Sequence, residues 1–163
     1  MIYFFGYGAD KDADMMKAVI GRVPKGEKAA VSGFELCVQS LADLPFAAQK
    51  IVKRSWDESD HFKSYAIRPS KNMDSIVTGT MWELTPFERK LVDNWELTEL
   101  WYNVFFLTIE ASKKIQVEIQ VINDQQIRRI INGKRYKTFL NSKKKMLETA
   151  TQCRLEYLKK KIN

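Results

Sequence analysis

Two short stretches hold the residue types best suited to chemistry. Near the start, Met1-Ile2-Tyr3-Phe4-Phe5 runs directly into Gly6-Tyr7-Gly8-Ala9-Asp10. A tight glycine turn at a strand end exposes backbone N–H groups, which hold an anion or an oxyanion. Far along the chain, Asp93-Asn94-Trp95-Glu96 offers carboxylates that could work opposite that turn. Asp93 and Glu96 are spaced to share one helix face if a helix continues that far. Each signal is weak alone, since strands commonly end in glycine turns and acids are usually solvated.

The elements that must position these residues follow from local pattern. Ile2–Phe5 is continuously apolar, as in a strand buried on both faces. Asp10-Lys11-Asp12-Ala13-Asp14 supplies capping residues and first-turn acids for a helix carrying Met15, Met16, Val19 and Ile20. Pro24-Lys25-Gly26 reads as a turn, and Ala29 to Gln39 as one strand with a bulge or bend at Gly33. Leu41 to Asp60 reads as loop with some helix, and Tyr65-Ala66-Ile67 as a brief strand. Ile76–Leu84 is a strand, and Thr85-Pro86-Phe87-Glu88 opens a helix with a capping box and proline at its first position. Phe87, Leu91 and Trp95 recur along one face of that helix, which ends near Asp93–Glu96. The chain is strand-like again to Ile109. Ile115, Val117, Ile119 and Val121 then alternate with polar residues, joined to the preceding strand by a hairpin at Ala111-Ser112-Lys113. Met146, Ala150, Cys153 and Tyr157 mark the buried stripe of a basic C-terminal helix at about 138–161. The expectation is a single α+β domain over 1–163, a small, strongly curved or barrel-like sheet, mixed but mostly antiparallel, with flanking helices.

Composition narrows the chemistry. The single histidine, His61, excludes a His-rich zinc site or a two-His iron centre and reads as a surface residue. The two cysteines, Cys37 and Cys153, have neither metal-ligand nor disulfide-framework spacing, so reduced thiols and a cytoplasmic protein are expected, with Cys37 in the core. No apolar run approaches the ~20 residues of a membrane span, and no signal peptide is read. The net charge is +7, but residues 134–163 alone contribute +8. The lysine runs 143–145 and 159–161 therefore read as a solvated helix face, which makes nucleic acid or an acidic partner the minor reading.

The order of segments carries a resemblance. A strand ending in Tyr7-Gly8, a helix, Gly33-Phe34-Glu35-Leu36, then Val77-Thr78-Gly79-Thr80-Met81-Trp82-Glu83-Leu84-Thr85, Asp93-x-x-Glu96 and Tyr102 together resemble the gamma-glutamylcyclotransferase-like family. The resemblance covers about residues 2–110, with a looser echo in Ile131-Asn132-Gly133. It implies a small curved mixed sheet and an enzyme that releases 5-oxoproline and an amine from a small gamma-glutamyl amide or peptide, without metal or cofactor. It also implies that Glu96 is the general acid/base, that Tyr7, Gly8, Ala9 and Asp10 form the substrate-binding loop, and that Tyr102 lines the pocket.

Three positions depart from that family's pattern. The loop reads Tyr-Gly-Ala-Asp where the family has Tyr-Gly-Ser-Asn, and Leu97 stands where glycine usually follows the glutamate. Asp10 is read as a cap for the following helix, pointing away from the site. Pointed inward and ionised, it would repel a carboxylate substrate or receive an amine. Glu99 is a nearby substitute base and Asp93 an orienting partner for Glu96. The competing reading is a non-catalytic small-molecule-binding relative of the same fold.

Overall fold

The computed structural model describes residues 1–57, 59–110, 113–123, 125–126, 128–130 and 136–162. Strand β1 (Ile2–Gly6) lies inside a five-stranded sheet with β2 (Lys25–Ser32), β5 (Ile76–Leu84), β6 (Asn103–Glu110) and β7 (Lys114–Val121), in the order β2-β5-β1-β7-β6. The β1–β7 pair is parallel and the others are antiparallel. Strands β3 (Phe34–Ser40), β4 (Lys63–Pro69) and β8 (Arg129–Ile130) form a second, antiparallel sheet. The mixed, mostly antiparallel architecture is as expected, but the strands are not closed into a barrel among the described residues.

The expected single strand Ala29–Gln39 is two strands in different sheets. Gly33, at φ +78, turns the chain between them, a conformation that glycine adopts without steric cost. The expected turn at Pro24–Gly26 is already partly strand, because Lys25 and Gly26 pair with Glu83 and Trp82. Residues 111 and 112 of the expected β6–β7 hairpin, and the segment 131–133, lie outside the described residues.

Strand β1 is buried on both faces because two different layers cover it. Phe5 joins Val31, Leu36, Ile67, Val77 and Val117 between the sheets. Phe4 joins the helical layer of α1 (Ala13–Ile20), α3 (Pro86–Glu96) and α5 (Lys143–Ile162), with Met15, Met16, Leu91, Val92 and Ala150. A third cluster packs Cys37, Ala48, Trp56, Ala66 and Trp101 around α2 (Phe46–Ser55) and the short α4 (Thr98–Trp101). Alternation along a strand sends successive side chains to opposite faces, so Phe4 and Phe5 serve two interiors.

The capping box of α3 forms as read: Glu88 N donates to Thr85 Oγ1 at 3.2 Å and Thr85 N donates to Glu88 Oε2 at 2.8 Å. Its buried face is shifted, however. Phe87 is 48% exposed while Arg89, Leu91 and Val92 are buried. Helix α5 begins at Lys143 instead of near 138. Asn141 holds the preceding segment to β4, exchanging hydrogen bonds with Lys63 N and O at 3.1 and 2.8 Å. The lysine run at 143–145 is also not wholly solvated: Lys143 pairs with Asp12 and Asp14 at 3.3 and 2.9 Å. Arg154 Nη1 donates to Lys17 O, so basic residues of α5 clasp both ends of α1. Among the described residues no helix is long and apolar enough to cross a membrane.

A close backbone approach holds the β1 end in place. A Cβ on Gly79 would lie 2.2 Å from Gly6 O and 2.8 Å from the Phe5 ring. Gly79→Ala is therefore expected to destabilise the protein by about 2–3 kcal/mol, read by urea denaturation, because the obstruction is backbone and cannot swing away.

Candidate active site

The glycine turn folds back on itself before α1 begins. A single 3-10 turn at Ala9–Lys11 follows Gly8, closed by Lys11 N to Gly8 O at 3.3 Å and Asp12 N to Ala9 O at 3.0 Å. The Asp10 carbonyl rests against Gly6, where an added Cβ would sit 2.5 Å away, and accepts the Trp82 indole N–H at 2.7 Å. Tyr136 adds a clamp, its hydroxyl lying 2.9 Å from Tyr7 O and 2.6 Å from Thr78 O. Asp10 is thereby fixed on both sides.

This geometry overturns the reading of Asp10 as a helix cap. Asp12 caps α1, its Oδ1 accepting from Asp14 N and Met15 N at 2.9 and 3.2 Å. The intervening 3-10 turn moves the cap two residues on and turns the Asp10 side chain inward, leaving the residue 7% exposed.

Glu96 arrives from the other direction, as the last residue of α3. Leu97, at φ 54 and ψ 40, is left-handed; it ends α3 and starts α4. That conformation costs a non-glycine residue roughly 1–2 kcal/mol. The sharp reversal after Glu96 is thus retained with leucine where a glycine was expected.

Tyr7, Gly8, Ala9, Asp10 and Glu96 line one cleft of about 150 Å³. Asp10 Oδ1 is buried and receives no hydrogen bond from a fixed donor. What faces Asp10 is the Glu96 carboxyl, within hydrogen-bond reach. Two carboxyls approach that closely only with a proton between them. Glu96 keeps some exposed surface as a residue, but its carboxyl is enclosed by protein. Burial first, and then the Asp10 charge, push its proton affinity well above the ordinary carboxylate value. A hydrogen bond from the Trp95 side chain and the Arg89 charge pull the other way. Burial raises Asp10 to about 6, against the Glu96 hydrogen bond and the Arg89 charge. These directions are those of a pair that shares one proton near neutral pH, with Glu96 its stronger holder.

The raised Asp10 value makes a stability prediction. Its folded value, about 6, lies above its ordinary 3.8, so the folded protein holds the proton more tightly than the unfolded chain. That contribution favours folding below about pH 4 and is lost as pH rises through about 6. Asp10→Asn is therefore expected to raise stability at pH 8 by about 1–3 kcal/mol, with the gain vanishing near pH 4. Denaturation midpoints across that range check it, and a pH-independent difference would refute it.

The other expected site residues divide. Tyr7 lines the cleft, with its hydroxyl donating to Gln120 O at 3.0 Å. Tyr102 does not line it. Its ring stacks on Trp101 with centroids 4.8 Å apart and its hydroxyl points to Tyr65 O at 3.4 Å, so it is buried behind the wall it was expected to form. Asp93 does not orient Glu96, because Arg89 Nη1 holds it at 2.6 Å. Glu99 and His61 are exposed.

Several cleft residues carry no local signal. Trp56, Phe62 and Trp101 make an aromatic wall, with Phe62 edge-on to Trp56 at 5.8 Å and tilted to Trp101 at 6.4 Å. They come from the end of α2, the approach to β4 and the end of α4, so only the fold unites them. Cys153 of α5 also lines the cleft, accepting from Asn94 Nδ2 at 3.0 Å.

Compared by sequence, the chain matches no protein-family description and no curated protein. Compared by structure, it is similar to a gamma-glutamyl cyclotransferase, with TM-score 0.60 and 16% identity over 98% of this chain and 85% of that one. The crystal structure of an uncharacterized human protein is similar to the same extent, with TM-score 0.58 and 16% identity over 98% and 85%. With two-layered packing around a mixed sheet and the Tyr7–Asp10 turn facing Glu96 across one cleft, this chain has the gamma-glutamylcyclotransferase-like fold.

Proposed function

We propose that the cleft converts a gamma-glutamyl amide or peptide into 5-oxoproline and a free amine, with Glu96 as the general acid/base and no cofactor. The observation that supports this most is the meeting of the Glu96 carboxyl and the Tyr7–Asp10 turn in one cleft. In such a reaction the substrate's own α-amino nitrogen attacks its γ-carbonyl. The step is already intramolecular, so catalysis gains by holding the folded conformer and moving protons. A carboxyl with raised proton affinity suits proton exchange with amine nitrogens near neutral pH. The aromatic wall of Trp56, Phe62 and Trp101 suits an apolar leaving amine. We place this activity in the cytoplasm, in keeping with the free thiols Cys37 and Cys153.

The deciding experiment incubates the protein with a panel of gamma-glutamyl amides and quantifies 5-oxoproline and released amine. The expected result is equimolar formation of both from at least one member, and none from any member overturns the proposal. The inward Asp10 carboxylate favours a second reading, a cleft that binds such compounds without turnover. Saturable binding by calorimetry without 5-oxoproline would select it.

A further inference from the structure

We infer that Asp10 is a second catalytic residue, acting with Glu96 as one carboxyl pair that holds a single resting proton. This inference rests on the lactam-forming reading above. Three observations carry it. Asp10 is 7% exposed yet lines the cleft, its Oδ1 has no fixed donor, and the group facing it is the Glu96 carboxyl. Among the described residues Arg89 acts on both carboxyls, the neutral Tyr7 and Tyr102 phenols lie near enough to sense them, and Lys63, Tyr65 and Cys153 line the same cleft.

The proton count of the reaction explains what two carboxyls add. The attacking nitrogen enters as an ammonium and remains in the lactam with one proton, so it sheds two. The leaving nitrogen gains two in departing as an ammonium. A lone carboxylate carries one proton at a time. In the pair, the Asp10 carboxylate takes the first proton from the ammonium while Glu96 is still protonated. The freed nitrogen lone pair forms the N–C bond at the γ-carbon, and the carbonyl π pair moves onto oxygen. Glu96 gives its proton to the leaving nitrogen as the old C–N bond breaks, its electrons going to that nitrogen while the oxygen pair re-forms the carbonyl. Glu96 then recovers a proton from the lactam nitrogen, and Asp10 passes its proton to the departing amine. The pair ends as it began, with one proton.

The test compares steady-state kinetics and carboxyl titration in wild type, Asp10→Asn, Glu96→Gln and the double variant. Expected for Asp10→Asn is a fall in kcat of about 100-fold or more with KM changed less than about 3-fold. The double variant should lose little beyond either single one, since residues acting as a unit are not additive. Turnover by Asp10→Asn at or above the wild-type rate overturns the role. Carbon-13 NMR of labelled carboxyls in the free protein reads the pair without substrate. The Glu96 resonance should titrate at distinctly lower pH in Asp10→Asn than in wild type. An unmoved Glu96 titration overturns the pair alone. Absence of 5-oxoproline from the wild-type protein overturns the lactam-forming reading itself, and the two failures are thereby told apart.

Discussion

Glu96→Gln is expected to lower the rate of 5-oxoproline formation by about 10²–10⁴-fold, the usual contribution of a positioned acid/base. The amide keeps the shape of the side chain but cannot exchange protons with the two nitrogens. It can still donate to the Asp10 carboxylate it faces, so the cleft should keep its form. Removing an enclosed carboxyl that lies against another also removes a folding penalty at neutral pH. Catalysis and stability should therefore move in opposite directions: kcat collapses while the denaturation midpoint at pH 8 holds or rises. Wild-type turnover by this variant would eliminate Glu96 as the shuttle. A loss of both activity and fold would mean that the carboxyl supports the structure.

Arg89→Met should cost about 2–4 kcal/mol, less than the full cost of breaking a buried pair, because Arg89 is buried but its partners Glu118 and Asp93 are only partly so. The Arg89 side chain is 5% exposed, and its Nε and Nη1 donate to Glu118 and Asp93 at 2.7 and 2.6 Å. Its guanidinium also lies 4.9 Å from the centre of the Phe4 ring, tying α3 to β1 and β7. Methionine would keep the apolar contact but leave Glu118 facing the interior without its cation. Arg89 lowers the proton affinity of both Asp10 and Glu96, so its loss should shift the ionisations seen in the pH–rate profile upward. Urea denaturation measures the first effect and kinetics on the folded fraction the second. A cost under about 1 kcal/mol would show that Glu118 and Asp93 are adequately solvated without Arg89.

Much of the local structure was legible because it rests on neighbours in the chain. The α3 capping box is an exchange of hydrogen bonds between Thr85 and Glu88, three residues apart. The alternation from Ile115 to Val121 specifies a strand whatever it pairs with. The resemblance in segment order reached further, placing the Tyr7–Asp10 turn and Glu96 in one site although 86 positions separate Asp10 from Glu96. What failed did so at junctions. Gly33 looked like a bend within one strand, because no local rule says which sheet the next strand joins. Asp10 looked like a cap because Asp10 and Asp12 are equally good capping residues; the tertiary contacts of the turn with Gly6 and Trp82 select Asp12. Tyr102 matched a pocket residue by position, but stacking on Trp101 turns it into the core.

By itself the sequence determined that this chain makes a strand, a glycine turn and a capped helix bearing a carboxylate near its end, and that these belong together. The elements depend on hydrogen bonds and periodicities spanning a few residues; that they belong together came from the resemblance in segment order. Only the tertiary structure decided that Asp10 faces Glu96, that Arg89 lies near both, and that three distant aromatic residues wall the cleft. Charge interactions inside a protein depend on distance and on exclusion of water, and neither exists until the layers pack. The carboxylate that seemed to weaken the site in the sequence thereby becomes the group that, after burial, most raises the proton affinity of its partner.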